Sequence, residues 1–162
     1  MRGKRLPATT EKRRVSSWRR SAAGLGLCVA LVLAATTYEA EVVAQITASV
    51  WDGIYTEEQA KRGRRAFQRD CTECHGEDLR GGEAAPGLMG REFIGFWSDT
   101  SVGELFQLTR ETMPEESPGG LSDKTYADIL AYMLQANKFP AGDSELEPAV
   151  ERLLRIGISR EP

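Results

Sequence analysis

Two of the three cysteines and the only histidine of this 162-residue chain fall within five consecutive positions, Cys71-Thr72-Glu73-Cys74-His75. This C-x-x-C-H cluster constrains the chain more than any other feature, because almost no thiol or imidazole exists elsewhere to share its chemistry. A closed structural zinc site needs four protein ligands. There is no second histidine, the third cysteine (Cys28) sits in a distant apolar run, and no Asp or Glu is spaced to complete such a site. A thioredoxin-type dithiol needs a βαβ setting, and no strand alternation is legible. A structural disulfide is admissible in an oxidising compartment, but cysteines three apart close a very small loop and stabilise little.

The fourth meaning of the motif is covalent attachment of haem c. Two thiols one helical turn apart can each add to one haem vinyl group, and the adjacent His75 is then carried to the iron as its proximal ligand. This reading also relieves a shortage of core, since a helical region of this size is small for an independent domain and a porphyrin supplies apolar bulk.

Charge divides the chain. Residues 1 to 20 hold eight Lys or Arg against one acid, and residues 21 to 38 carry no charge, with "AAGLGLCVALVLAA" at their centre. A basic arm followed by a short apolar run is the layout of an export signal. Val42 and Ala44 offer small residues for a cut before Gln45. The uncharged run is also just long enough for the alternative, a retained membrane anchor. Removing residues 1 to 44 takes away eight basic and three acidic residues, leaving 13 Lys plus Arg against 21 Asp plus Glu, about -8 overall. Nucleic acid, which requires a basic footprint, is excluded as a partner class.

The remainder reads as helices and loops, an all-α fold. A lead-in over 45–55 is expected to be exposed. Thr56-x-x-Gln59 forms a capping box, and Ala60, Gly63, Phe67 and Cys71 follow on one helical face. Gly63 within that face costs about 1 kcal/mol against Ala, which implies close approach of another helix. Residues 76–95 hold six glycines and read as one long irregular loop, a feature associated with ligand wrapping or function. Ser101-x-x-Glu104 is a second capping box, opening a helix that must stop before Met113-Pro114. Ser122 caps the last strong helix, with Leu121 stapled to Tyr126 and Tyr126, Ile129, Leu130, Met133 and Leu134 on its buried face. The domain is expected over 56–142. The segment 143–162 reads as an extension with a weak amphipathic helix lying on the surface.

Iron at such a site is either left open or closed by a second side chain. Bis-histidine ligation is ruled out by the histidine count. Met1 belongs to the signal and Met133 to a buried helix face. Of the remaining two, Met113 on its extended Met-Pro step is favoured over Met89, which follows His75 closely in the glycine loop.

Residues 56 to 142 resemble class I cytochrome c. The resemblance rests on Gly63-x-x-x-Phe67 ahead of C-x-x-C-H, "PGLMGREF", "TMP" and "YADILAYML". It implies a small helical domain around one covalent haem c, with the first and last helices crossing at Gly63. It also implies His75 and Met113 as axial ligands, the Pro86 carbonyl on the His75 ring N–H, and Trp97 donating to a haem propionate. "VWDGIYTEEQAKRG", "CHGEDLRGGEAAPGL" and "LAYMLQANKFPAG" further resemble the monohaem cytochromes associated with quinoprotein alcohol dehydrogenases. The expected function is one-electron transfer in the periplasm, from a dehydrogenase to a respiratory acceptor. An open-iron enzyme or sensor for gas or peroxide is the alternative. Glu73, Glu77, Asp78 and Glu83 on one side, and Glu111, Glu115 and Glu116 on the other, are expected to border the haem and to suit a basic partner.

Overall fold

The structure is a computed structural model that describes residues 45–83 and 85–162. The expected export signal or anchor lies outside the described residues, and within them no helix is long and apolar enough to cross a membrane. In chain order the elements are β1 (Ala48–Ser49), a 3-10 turn (Val50–Asp52), α1 (Glu57–Asp70), α2 (Thr72–His75), α3 (Gly90–Trp97), β2 (Thr100–Ser101), α4 (Val102–Thr112), α5 (Asp123–Ala136), α6 (Val150–Leu153) and β3 (Ile156–Ile158).

The frame is the crossing of α1 and α5. Thr56 accepts a hydrogen bond from the Gln59 amide and fixes the start of α1, while Ser122 accepts from Thr125 N–H and starts α5. Gly63 lies at the crossing, where an added Cβ would overlap the Asp128 carbonyl group. The absent side chain therefore permits backbone contact between the two helices, which accounts for a residue that is otherwise costly inside a helix. Phe67 meets Tyr132 edge-on at 5.5 Å between ring centroids. Arg62 forks onto Asp128 with two bonds of 3.0 Å. The core continues through Phe93, Phe106, Tyr126, Leu130 and Leu134, all essentially inaccessible to solvent.

Both ends of the described chain depart from expectation. The lead-in was expected to be exposed, but Val50 and Tyr55 are buried and Tyr55 donates its hydroxyl to the Phe139 carbonyl at 2.6 Å. The segment 143–162 was expected on the surface, yet Leu146, Leu153 and Ile158 are core residues. Its last strand, β3, runs between β1 and β2, parallel to the former (Ala48↔Ile156) and antiparallel to the latter (Thr100↔Ile158). The all-α expectation thus becomes a mostly helical fold with one small sheet. Strands of two or three residues are too short to produce an alternating pattern.

Gln59 explains how the tail is held. Its side chain does not return to the helix cap, so the predicted box at Thr56 is only half formed. Instead its Nε2 donates to the Leu146 carbonyl at 2.9 Å and its Oε1 accepts from the Leu146 amide at 2.7 Å. The box at Ser101 and Glu104 is complete. On α4, a Cβ on Gly103 would lie 2.5 Å from the Leu154 nitrogen, so α6 packs directly on that helix.

Candidate functional site

Cys71 is the residue at which α1 ends, its N–H bonded to the Phe67 carbonyl at 2.9 Å. The single turn α2 follows at once, with His75 N–H on the Cys71 carbonyl at 3.0 Å and Gly76 closing the turn at φ +74°. Cys71 and Cys74 are both free thiols and both half-buried. Before haem is attached, burial, reinforced by the neighbouring Asp70 carboxylate, pushes the Cys71 thiol up to about 11.

The chain after His75 doubles back on it. Gly81 N–H bonds the His75 carbonyl at 2.9 Å, and Leu88 N–H bonds the Leu79 carbonyl at 2.7 Å. This return brings the Pro86 carbonyl oxygen to 3.0 Å from His75 Nδ1. With Nδ1 engaged as donor, Nε2 is the nitrogen left with a free lone pair. His75 is buried but for one edge. The segment 76–95 is not wholly irregular, since α3 begins at Gly90. Asn137, beyond the end of α5, holds the junction by accepting from Gly90 N–H at 2.8 Å and donating to the Leu88 carbonyl at 3.0 Å.

The second wall is built by α4. Thr109 and Thr112 return their hydroxyls to the carbonyls four residues back, and the helix stops at Met113, which is extended (φ -123°, ψ 152°). The peptide bond to Pro114 is cis. Tyr126 donates its hydroxyl to the Met113 carbonyl at 2.7 Å.

Between these walls lies a cavity of about 560 Å³, within the range of small-molecule and cofactor sites. Cys71, Cys74, His75, Pro86, Trp97 and Met113 all line it. Met89 does not, and Met133 contributes part of the apolar wall from α5. The Trp97 indole N–H has no protein partner among the described residues. Of the acids expected at the border, Glu73, Glu115 and Glu116 reach the cavity, joined by Asp70 and Glu92, which the sequence did not suggest. Three other contributors were also missed: Asn137, Tyr126 and the exposed cavity residue Phe96. A helix-ending Asn and a core Tyr carry no mark of partners elsewhere in the chain.

The donor set decides what such a cavity suits. Among the described residues no three or more His, Cys, Asp or Glu side chains converge as a site for a bare metal ion. The cavity offers instead one imidazole nitrogen, two thioethers (Met113 and Met133), two thiols and apolar walls from Phe67, Leu105 and Ile129. These are the groups needed to bind an iron porphyrin, by axial coordination and by two thioether bonds.

Comparison with known sequences agrees. Residues 58–133 match the family described as cytochrome c oxidase, cbb3-type, subunit III. Cytochrome c-551 of Bacillus subtilis (strain 168) is 31% identical over 86 residues, covering 53% of this chain and 70% of that protein. A chain of the sulfane dehydrogenase SoxCD from Paracoccus pantotrophus is 22% identical with a TM-score of 0.42, covering 58% of this chain. The present chain spans only 55% of that solved chain's length. With its C-x-x-C-H cluster on the wall of a porphyrin-sized cavity, this chain belongs to the cytochrome c family of haem-based electron carriers and carries covalently bound haem c.

Proposed function

We propose that this protein is an exported one-electron carrier, working in the periplasm with a single haem c held by Cys71 and Cys74. In this reading His75 and Met113 are the axial ligands. The observation that carries it is that His75 and Met113 line one cavity while Met89 stays outside it, and Met133, which also lines it, is a core residue of α5. Haem c, when bound, supplies an iron that gains or loses one electron without a change of covalent partners.

The chain's own work is positional. The Pro86 carbonyl, 3.0 Å from His75 Nδ1, fixes the ring's tautomer and its rotation about χ2, and so leaves Nε2 as the nitrogen that would hold the iron. The apolar wall excludes water and so lowers the local dielectric, which tunes the potential together with the thioether ligand. Trp97, which lines the cavity and whose indole N–H has no partner among the described residues, would be the donor to a propionate. The basic arm and uncharged run ahead of Gln45 support export, with the membrane anchor as the other form of the same segment. The motifs shared with the cytochromes of quinoprotein alcohol dehydrogenases support a dehydrogenase as donor and a respiratory protein as acceptor.

Two measurements test this. An optical spectrum of the purified holoprotein should show haem c and, when oxidised, a sulfur-to-iron charge-transfer band. Met113→Ala should abolish that band and admit carbon monoxide, whereas Met89→Ala should do neither. An intact mass should equal residues 45–162 plus one haem. A full-length mass in the membrane fraction would favour the anchor, and retention of the band in Met113→Ala would refute the ligand assignment.

A further inference from the structure

Met113 stands at the start of a segment with little else to hold it. From Glu115 to Gly120 every residue is exposed. The segment's own hydrogen bonds are turn bonds, Ser117 N–H to the Pro114 carbonyl and Gly120 N–H to the Ser117 carbonyl, both 2.9 Å. These shape the loop without tying it to the core. The ion pair between Arg110 and Asp123, which spans its base, is about half exposed on both sides, and such pairs contribute little.

One buried hydroxyl joins both ends. Tyr126 Oη donates to the Met113 carbonyl at 2.7 Å and accepts from Leu121 N–H at 3.3 Å. The ring itself cannot drift. It is 1% exposed, it stands edge-on to Phe106 at 6.5 Å, and its backbone N–H lies in the capped first turn of α5. Apart from the exposed Arg110–Asp123 pair, the end of α4 is therefore linked to the start of α5 through one buried side-chain atom.

We propose that Tyr126 is the positioning residue for Met113, holding its backbone so that the thioether is presented to the cavity. The proposal rests on the reading of Met113 as an axial ligand. A thioether is a neutral, weakly basic ligand, so its occupancy of the iron depends on how often the backbone delivers it there. Without the Tyr126 hydroxyl, the half-buried Met113 carbonyl loses its donor and regains one only by moving toward water. That motion carries the side chain out of the cavity. A net hydrogen bond of this kind is worth a factor of roughly ten in the ratio of ligand-on to ligand-off states.

Tyr126→Phe in the holoprotein removes the oxygen and keeps the ring. The readouts are the rate of carbon monoxide binding to the reduced protein and the temperature at which the sulfur-to-iron band of the oxidised protein fades, compared with the far-UV melt. Tyr126→Phe should bind carbon monoxide about tenfold faster than wild type and lose the band well below its own melting temperature. Tyr132→Phe, a second aromatic of α5 packed on Phe67, should change neither. A Tyr126→Phe protein that binds carbon monoxide at the wild-type rate and loses the band only on unfolding would overturn the proposal, leaving Tyr126 a core residue. Wild type binding carbon monoxide as fast as Met113→Ala would instead show that Met113 is not the ligand, and the positioning role would fall with it.

Discussion

The Gln59 side chain offers two incompatible accounts of one residue, and a single substitution separates them. As the second half of a capping box, its loss would cost no more than about 1 kcal/mol and would be felt at the start of α1. As the clamp on Leu146 it satisfies a buried amide and a buried carbonyl together, at 2.7 and 2.9 Å. Gln59→Ala strands both groups, at roughly 1–3 kcal/mol each, so about 2–6 kcal/mol in all if the tail stays docked. If the tail undocks, the groups reach water, but the burial of Leu146, Leu153 and Ile158 is forfeited, at about 1.5–3 kcal/mol per side chain. Either response exceeds the capping estimate. Urea unfolding of the holoprotein, followed by far-UV circular dichroism, should show a midpoint lowered by about 1–3 M at an ordinary slope for a small domain. Native-state hydrogen exchange should quicken at Leu153 and Ile158 before it does in α1 and α5. Gln59→Glu should be at least as damaging, since a carboxylate cannot donate to the Leu146 carbonyl. A loss under about 0.5 kcal/mol for Gln59→Ala, with unchanged exchange across the tail, would refute the clamp.

Three further outcomes are expected. Gly63→Ala, which drives a Cβ into the Asp128 carbonyl, should destabilise by about 3 kcal/mol or more despite Ala's better helix propensity; chemical denaturation reads this, and a stability gain would contradict backbone contact at the crossing. Glu145 is held below its usual carboxylate value chiefly by the Arg62 hydrogen bond, then by Lys124. Its ionised form therefore favours the folded state above the unfolded value of 4.5, and that contribution is lost as pH falls through the lowered folded value. The stability gap between wild type and Glu145→Gln should close on acidification, and a gap constant with pH would remove this pair from the acid response. Glu115→Gln with Glu116→Gln, at the mouth of the cavity, should slow electron transfer with a basic redox protein and flatten its salt dependence, because exposed charges are screened beyond about 10 Å at 0.1 M. A wild-type rate independent of salt would exclude steering.

What was legible in the sequence was local. Cys71, Cys74 and His75 are neighbours on one turn, so their joint chemistry follows from spacing alone. The caps at Ser101 and Ser122 bond amides three residues away, and Met113-Pro114 ends α4 because proline restricts the residue before it. Gly63 announced the close approach of another helix by its cost, and the family resemblance named that helix as the last one. The tertiary structure alone decided the rest. Gln59 and Leu146 are 87 positions apart, and Asn137 reaches back 49 positions to Leu88. Polar side chains like these look the same in the sequence whether they cap their own helix or clamp a distant segment. The choice depends on which unsatisfied backbone groups the folded chain brings within reach. The same holds for β3, whose three residues have no strand pattern of their own and become a strand only because β1 and β2 flank them with free amides and carbonyls. Local geometry sets the attachment turn and the helix ends. The environment of Met113, and the burial of the tail that packs on its helix, exist only once distant segments have met.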